Sequence, residues 1–181
     1  MKILIISDIH GALDSALKVE SLESSNHFDA IICLGDFNYH GPRNPIPSNY
    51  NPKEVVAILN KYQSKMYGVR GNCDADVDQM LYEFKMMDYL REIEFENHLI
   101  SMTHGHKYNE DKLPSLDDEE IFMYGHTHIP RALKVNNHYI FNPGSITLPK
   151  GGHPRTYGIM DNDGLHIYDL DDKLYMEVLF D

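Results

Sequence analysis

Apolar residues run unbroken in short blocks through the first half of the chain, and each block stops at a glycine or an acid. KILIIS, Lys2 to Ser7, ends at DIHG, and FDAIICLGD and KMYGVRGNCD repeat the design. A continuous apolar run bounded by polar residues predicts a strand buried on both faces, the kind found in parallel sheets. Between the first two runs, Leu13 to Ser24 carries Leu13, Ala16, Leu17 and Leu22 at helical spacing. A loop from Phe37 to Asn51 holds Pro42, Pro45 and Pro47, and Pro52 then opens a helix, PKEVVAILNKYQ. This half predicts β-α-β-α-β with right-handed crossovers.

From about Lys85 the pattern shortens. Short strands lead to LISMTHGH, an acidic loop runs from Asn109 to Glu120, and IFMYGHTH follows. ALKVNNHYIFNPGS and TYGIMDNDGLHIYDL predict hairpins turning at Asn136–Asn137 and around Asp163–Gly164. Helix-covered strands followed by a meander predict two sheets in one domain, residues 1–181, with helices outside and no linker.

Composition narrows the partners. The chain is 42% hydrophobic and 24% charged with a formal net charge of −12, its acids spread rather than gathered. That balance excludes an extended basic nucleic-acid groove or an anionic membrane surface as partner, since either needs a positive face. Cys33 and Cys73 lie far apart and form no disulfide framework, which fits a cytoplasmic location. No signal peptide is expected before the first strand, and no apolar run reaches the roughly 18 residues of a membrane span.

The chemistry sits where the apolar runs end. Asp8–His10, Gly35–Asn38, Gly71–Asp74, His104–His106, Gly125–His128 and Asn142–Ser145 all follow such runs. Ligands of open α/β sheets bind at the carboxyl ends of strands. Mixed oxygen and nitrogen donors there suit Mn²⁺, Fe²⁺ or Zn²⁺ better than Ca²⁺. Each motif also has a plainer reading. Asp8 or Asp36 alone could cap a helix, and Asn72 and Asn142 are ordinary turn residues. With 11 histidines, a His-X-His pair arises by chance about once. Chance does not explain polar residues recurring behind strand after strand in both halves, and a metal site does.

The order D-X-H, GD-X-N, GN-X-D, HGH and GHTH, from Asp8 to His128, resembles the calcineurin-like metallophosphoesterases. HGPRN, GNCDADVDQM and FNPGSI extend the resemblance towards a branch of small bacterial phosphodiesterases that shares ancestry with the scaffold subunit of retromer. The resemblance implies an α/β, four-layer αββα sandwich of two mixed sheets flanked by helices. It implies two divalent ions, Mn²⁺ first, with Zn²⁺, Fe²⁺ or Ni²⁺ as alternatives. Asp8, His10 and His128 would hold one ion, Asn72, His104 and His126 the other, and Asp36 would bridge both. Extended backbone would point residues two apart to one side, and the two oxygens of Asp36 would each serve an ion. A hydroxide between the ions would attack a small phosphodiester substrate. Four metal charges against two carboxylates and one hydroxide leave a positive site inside an acidic chain, which explains phosphate binding.

Four further residues carry implied roles. Arg43, in the proline-rich loop, would reach a substrate phosphate or simply be a solvated loop residue. Cys73 stands where most of the superfamily has the histidine of GNHD or GNHE, the leaving-group acid, and His106 would replace that acid or merely support the site. Asp74 would support a neighbouring ligand or cap a helix. Other chemistries fail. The Arg that a cysteine-dependent phosphatase needs six positions after its Cys is Gln79, so Cys73 is no nucleophile. A calcium loop starting at Asp74 would need Gly at Gln79 and Glu at Lys85. No G-X-S-X-G surrounds Ser145. The alternatives to a phosphodiesterase are a retromer-like scaffold with little turnover and a phosphomonoesterase or nucleotidase. Every ligand position is chemically competent, which favours the enzyme. A homo-oligomer, dimer or tetramer, is compatible with the resemblance.

Overall fold

The computed structural model describes residues 1–181. The three apolar runs form β1 (Ile3–Ile6), β2 (Ala30–Cys33) and β3 (Met66–Gly68), with β2 parallel to both neighbours. The crossovers are α1 (Leu13–Asn26) and α2 (Pro52–Asn60). At the start of α2, Pro52 occupies the first turn and the Asn51 side chain accepts the Glu54 N–H. The first helix starts after Ala12, which makes no side-chain cap, and ends at His27 in left-handed backbone. It runs to Asn26, two residues past the predicted end at Ser24.

The second half supplies β4 (Leu90–Phe95), β5 (His98–Thr103), β6 (Ile121–Met123), β7 (Arg131–Val135), β8 (His138–Asn142), β9 (Thr156–Met160), β10 (Gly164–Asp169) and β11 (Leu174–Leu179). Both predicted hairpins, β7–β8 and β9–β10, are present. The last strand, β11, is not among those the pattern predicts, because its residues are mostly exposed at a sheet edge. One sheet has the order β11-β10-β9-β1-β2-β3 and the other β4-β5-β6-β8-β7, so both mix parallel and antiparallel pairs.

Burial on both faces explains the unbroken apolar runs. Ile3, Ile5, Ile32 and Val69 point between the sheets to meet Ile100, Met102, Met123 and Phe141. Leu4, Ile6, Ile31 and Cys33 point the other way, to Ala16 and Val19 of α1 and to Val55 and Leu59 of α2. Both helices thus flank the six-stranded sheet. The outer face of the five-stranded sheet, Phe122 and Ile140, is covered by Tyr108 and Leu116 from the irregular segment between β5 and β6. The chemistry-bearing motifs leave the carboxyl ends of β1, β2, β3, β5, β6 and β8.

Candidate metal centre

Five of the seven candidate ligands stand on left-handed backbone. Asp8, His10, Asp36, His126 and His128 have φ of 58°, 51°, 59°, 66° and 59°. For a residue with a Cβ this conformation costs about 1–2 kcal/mol, and such strain concentrates at functional sites. The finding corrects the expectation that extended backbone aims Asp8 with His10 and His126 with His128. A side chain thrown off the strand end by positive φ does the aiming instead. The strained loops are pinned to one another, with Asp8 N–H donating to Gly35 at 3.1 Å, His10 N–H to Asp36 at 2.9 Å and Gly11 N–H to Phe37 at 2.8 Å.

Donor atoms converge in three groups, each within 4.8 Å: Asp8–His10–His128, Asp8–Asp36–His104 and His10–Asp36–Cys73. His128 Nε2 lies 3.2 Å from Asp8 Oδ1 and 3.4 Å from His10 Nε2. Three histidines are locked from behind by backbone carbonyls. Nδ1 of His10 meets Tyr39 O at 2.8 Å, Nδ1 of His104 meets Leu34 O at 2.6 Å, and Nδ1 of His128 meets Leu148 O. A carbonyl only accepts, so Nδ1 carries the proton and the Nε2 lone pair faces inward, as a metal ligand requires.

The carboxylates match them. Asp8 is fully buried, and its Oδ2 accepts from Ser7 Oγ at 2.6 Å and from the His126 N–H at 3.1 Å. Its Oδ1 has no hydrogen-bond partner at all. A buried carboxylate oxygen left bare among three Nε2 atoms is costly unless a cation shares the space, so the donor set fits a metal ion. One of the two Asp36 oxygens is already engaged by the protein. Its Oδ1 accepts the Cys73 N–H at 2.8 Å, and Oδ2 alone faces His10 Nε2 at 3.7 Å and His104 Nε2 at 3.3 Å. In the protein without metal, burial opposes charge on His104 but the Asp36 carboxylate outweighs it, raising the ring to about 9.

The remaining members are looser. Asn72 is exposed, with Oδ1 at 3.1 Å from His104 Nε2. His126 is half-buried, outside the three tight groups, its ring centroid 5.1 Å from that of His104. His106 lies behind them, its ring 6.2 Å from His126 and 5.7 Å from Tyr89. Burial and the neighbouring His104 lower it to about 4, and its Nδ1 lacks a partner. A ring that remains neutral at pH 7 is a poor substitute for the missing acid.

The GNCD turn has a structural logic that the sequence hid. Asp74 caps no helix. Its carboxylate accepts the N–H groups of Asp36 at 2.9 Å, Phe37 at 2.8 Å and Gly71 at 2.8 Å, so it shapes the Asp36 loop. A Cβ on Gly71 would stand 2.0 Å from Asp36 Oδ1, which excludes any side chain there. Burial, then Asp36, pushes the Cys73 thiol up to about 12, which disfavours a thiolate in the metal-free chain. Asp8 and Asp36 cap no helix either, since α1 starts after Ala12 and no helix follows Asp36 directly.

Several further residues support the ligand loops. Ser7 orients Asp8, and Ser145 Oγ donates to Asp8 O at 3.0 Å. Asn142 Nδ2 holds the Gly125 carbonyl at 2.9 Å, fixing the GHTH loop. Lys150 and Arg43 both line the cleft of about 400 Å³ above the centre, with Asp36, Asn72, Cys73, His126 and His128 at its floor. The sequence pointed to Arg43 but not to Lys150, which only the return of the segment after β8 brings there.

Comparison with known proteins defines the class. Residues 1–164 match the calcineurin-like phosphoesterase superfamily domain, and the chain belongs to that superfamily. Within it, the chain is 40% identical over 173 residues to the phosphodiesterase YfcE of Escherichia coli strain K12, covering 96% of this chain and 94% of that protein. The solved structure of E. coli YfcE, a phosphoesterase, covers 100% of both chains with a TM-score of 0.97 at 40% identity. Vps29 of Cryptosporidium parvum shares the fold with a TM-score of 0.67 at 20% identity, covering 99% of this chain and 98% of its own.

Proposed function

We propose that this protein is a metal-dependent phosphodiesterase, folded as one domain over residues 1–181, that hydrolyses small phosphate diesters at a dinuclear centre. The observation that carries the metal reading is the bare, buried Oδ1 of Asp8 among carbonyl-locked histidines. The diester reading is supported by 40% identity to a phosphodiesterase over nearly the whole chain. Asp8, His10 and His128 would hold one ion and His104, Asn72 and His126 the other, with Asp36 shared between them. Mn²⁺ suits the mixture of carboxylate, amide and imidazole, ahead of Zn²⁺, Fe²⁺ or Ni²⁺. When bound, the ions supply an activated water and neutralise charge on the phosphoryl oxygens.

The chain's own residues do the rest. Arg43 and Lys150 draw an anionic ester into the cleft, and the absence of the leaving-group histidine at Cys73 favours esters whose leaving group departs without a proton. Vps29 proteins share this fold, yet a scaffold needs no ligand set, and here every ligand position keeps a competent donor. Two free cysteines fit action in the cytoplasm, and no helix is long and apolar enough to cross a membrane. A dimer or tetramer of such chains is compatible with this function.

Metal-stripped protein reloaded with each ion and offered a panel of diesters and monoesters tests the reading. Activity on an activated diester should vanish on chelation and return with Mn²⁺. Full activity in protein that elemental analysis finds metal-free would refute it, and preference for monoesters would replace diesterase with phosphomonoesterase.

A further inference from the structure

Cys73 enters the function above only as an absence, a position without its histidine. The structure gives it more. Its Sγ, a ring nitrogen of His10 and a carboxylate oxygen of Asp36 lie within 4.8 Å of one another, a third donor group beside the other two. His10 and Asp36 are buried, while Cys73 is half-buried and lines the cleft floor, reachable from solvent. The bare Asp8 Oδ1 points into the same space, 3.6 Å from His10 Nε2.

We propose that Cys73 is an additional ligand of the metal centre, engaging soft or borderline divalent ions such as Cd²⁺ or Co²⁺ through sulfur while leaving Mn²⁺ to the oxygen and nitrogen donors. The inference rests on the metal reading above. Its chemistry follows from hardness, since thiolates favour soft and borderline ions whereas Mn²⁺ favours carboxylate and water. As the sulfur–metal bond forms, the thiol proton passes to solvent or buffer base, and no electron changes hands. A sulfur held on the ion at the cleft floor occupies space that a substrate oxygen or water needs. The cysteine thereby makes the centre selective: Mn²⁺ leaves the cleft open, and a soft ion closes it with the protein's own side chain.

Two measurements on the full chain test this without relying on turnover. In cobalt-loaded protein the parent should show a near-ultraviolet thiolate-to-cobalt charge-transfer band, and Cys73→Ser should lose it at equal cobalt content. Cys33 is fully buried, so any accessible thiol is Cys73. Alkylation of that thiol should be fast in the manganese-loaded parent and blocked in the cadmium-loaded parent. The Cys73→Ser chain should bind Cd²⁺ at least about tenfold more weakly, the scale on which metal sites lose affinity when one supporting group goes, with Mn²⁺ binding little changed. A parent that binds two cobalt ions without the band, or equal protection by Mn²⁺ and Cd²⁺, would overturn this inference alone. A parent that binds no cobalt would overturn it together with the metal reading.

Discussion

The two halves of the centre are built differently. In the Asp8–His10–His128 half every member is at most 2% exposed, and both histidines have their outer nitrogens tied to backbone carbonyls. In the Asn72–His104–His126 half only His104 is buried and tied, Asn72 is exposed, and His126 is held through its backbone N–H to Asp8. The first half is preorganised by burial, so an ion bound there would lose little to ordering and would be hard to displace. The second opens onto the cleft with Arg43 and Lys150, where an ion can exchange coordinating oxygens with a substrate. Asp36 Oδ2 faces both halves, 3.7 Å from His10 Nε2 and 3.3 Å from His104 Nε2.

The largest effect should come from breaking the join. Asp36→Asn removes the charge that both halves share, so metal content should fall in both and activity on an activated diester should be lost. Elemental analysis checks this, and parental metal counts would show that Asp36 joins nothing.

Next, the open half can be given back what it lacks. Cys73→His should raise the rate on nucleoside diesters relative to aryl diesters, by up to the roughly 10²–10⁴-fold that general acid catalysis contributes. The ratio of the two rates, at equal metal content, is the readout. A ratio unchanged or moved towards aryl esters would mean that the leaving group is protonated from elsewhere.

A smaller contrast tests the asymmetry itself. His10→Ala or His128→Ala should strip the tightly held ion, whereas His126→Ala or Asn72→Ala should weaken only the exchangeable one, by about 10–100-fold. Titration with a metal indicator resolves the two affinities. Equal losses from both pairs of variants would erase the distinction between the halves.

The smallest effect calibrates the others, because it comes from an exposed contact far from the centre. Burial alone would raise the Asp172 carboxyl, but Lys18 Nζ at 2.6 Å and the Tyr157 hydroxyl at 2.7 Å hold it below its ordinary value. A lowered carboxyl stabilises the fold above the unfolded value of 3.8, and the contribution is lost as pH falls through the lower folded value. Asp172 is 59% exposed on its side chain, so solvent screening limits the pair to about 0.5 kcal/mol. Lys18→Ala should therefore cost about that much in melts at neutral pH and nothing in strong acid. A loss that persists in strong acid would assign the cost to packing of the Lys18 stem.

Apolar patterning alone determined much of this protein. Unbroken runs marked β1, β2 and β3 because burial on both faces demands them, and Asn136–Asn137 and Asp163–Gly164 marked turns because few residues tolerate those backbones. The ligand residues were legible as types, since polar side chains at apolar strand ends have few uses. Tertiary structure alone decided how they are aimed. The left-handed backbone at Asp8, His10 and Asp36 is held by their N–H groups donating to Gly35, Asp36 and Asp74, up to 38 residues away, and the His126 N–H donates to Asp8 Oδ2, 118 residues away. Asp36 Oδ1 is taken by the Cys73 N–H, and Lys150 joins the cleft only because the chain returns after β8. Local sequence specifies which groups a segment offers. Their direction and exposure depend on partners remote in the chain, which exist only once the sheets have packed.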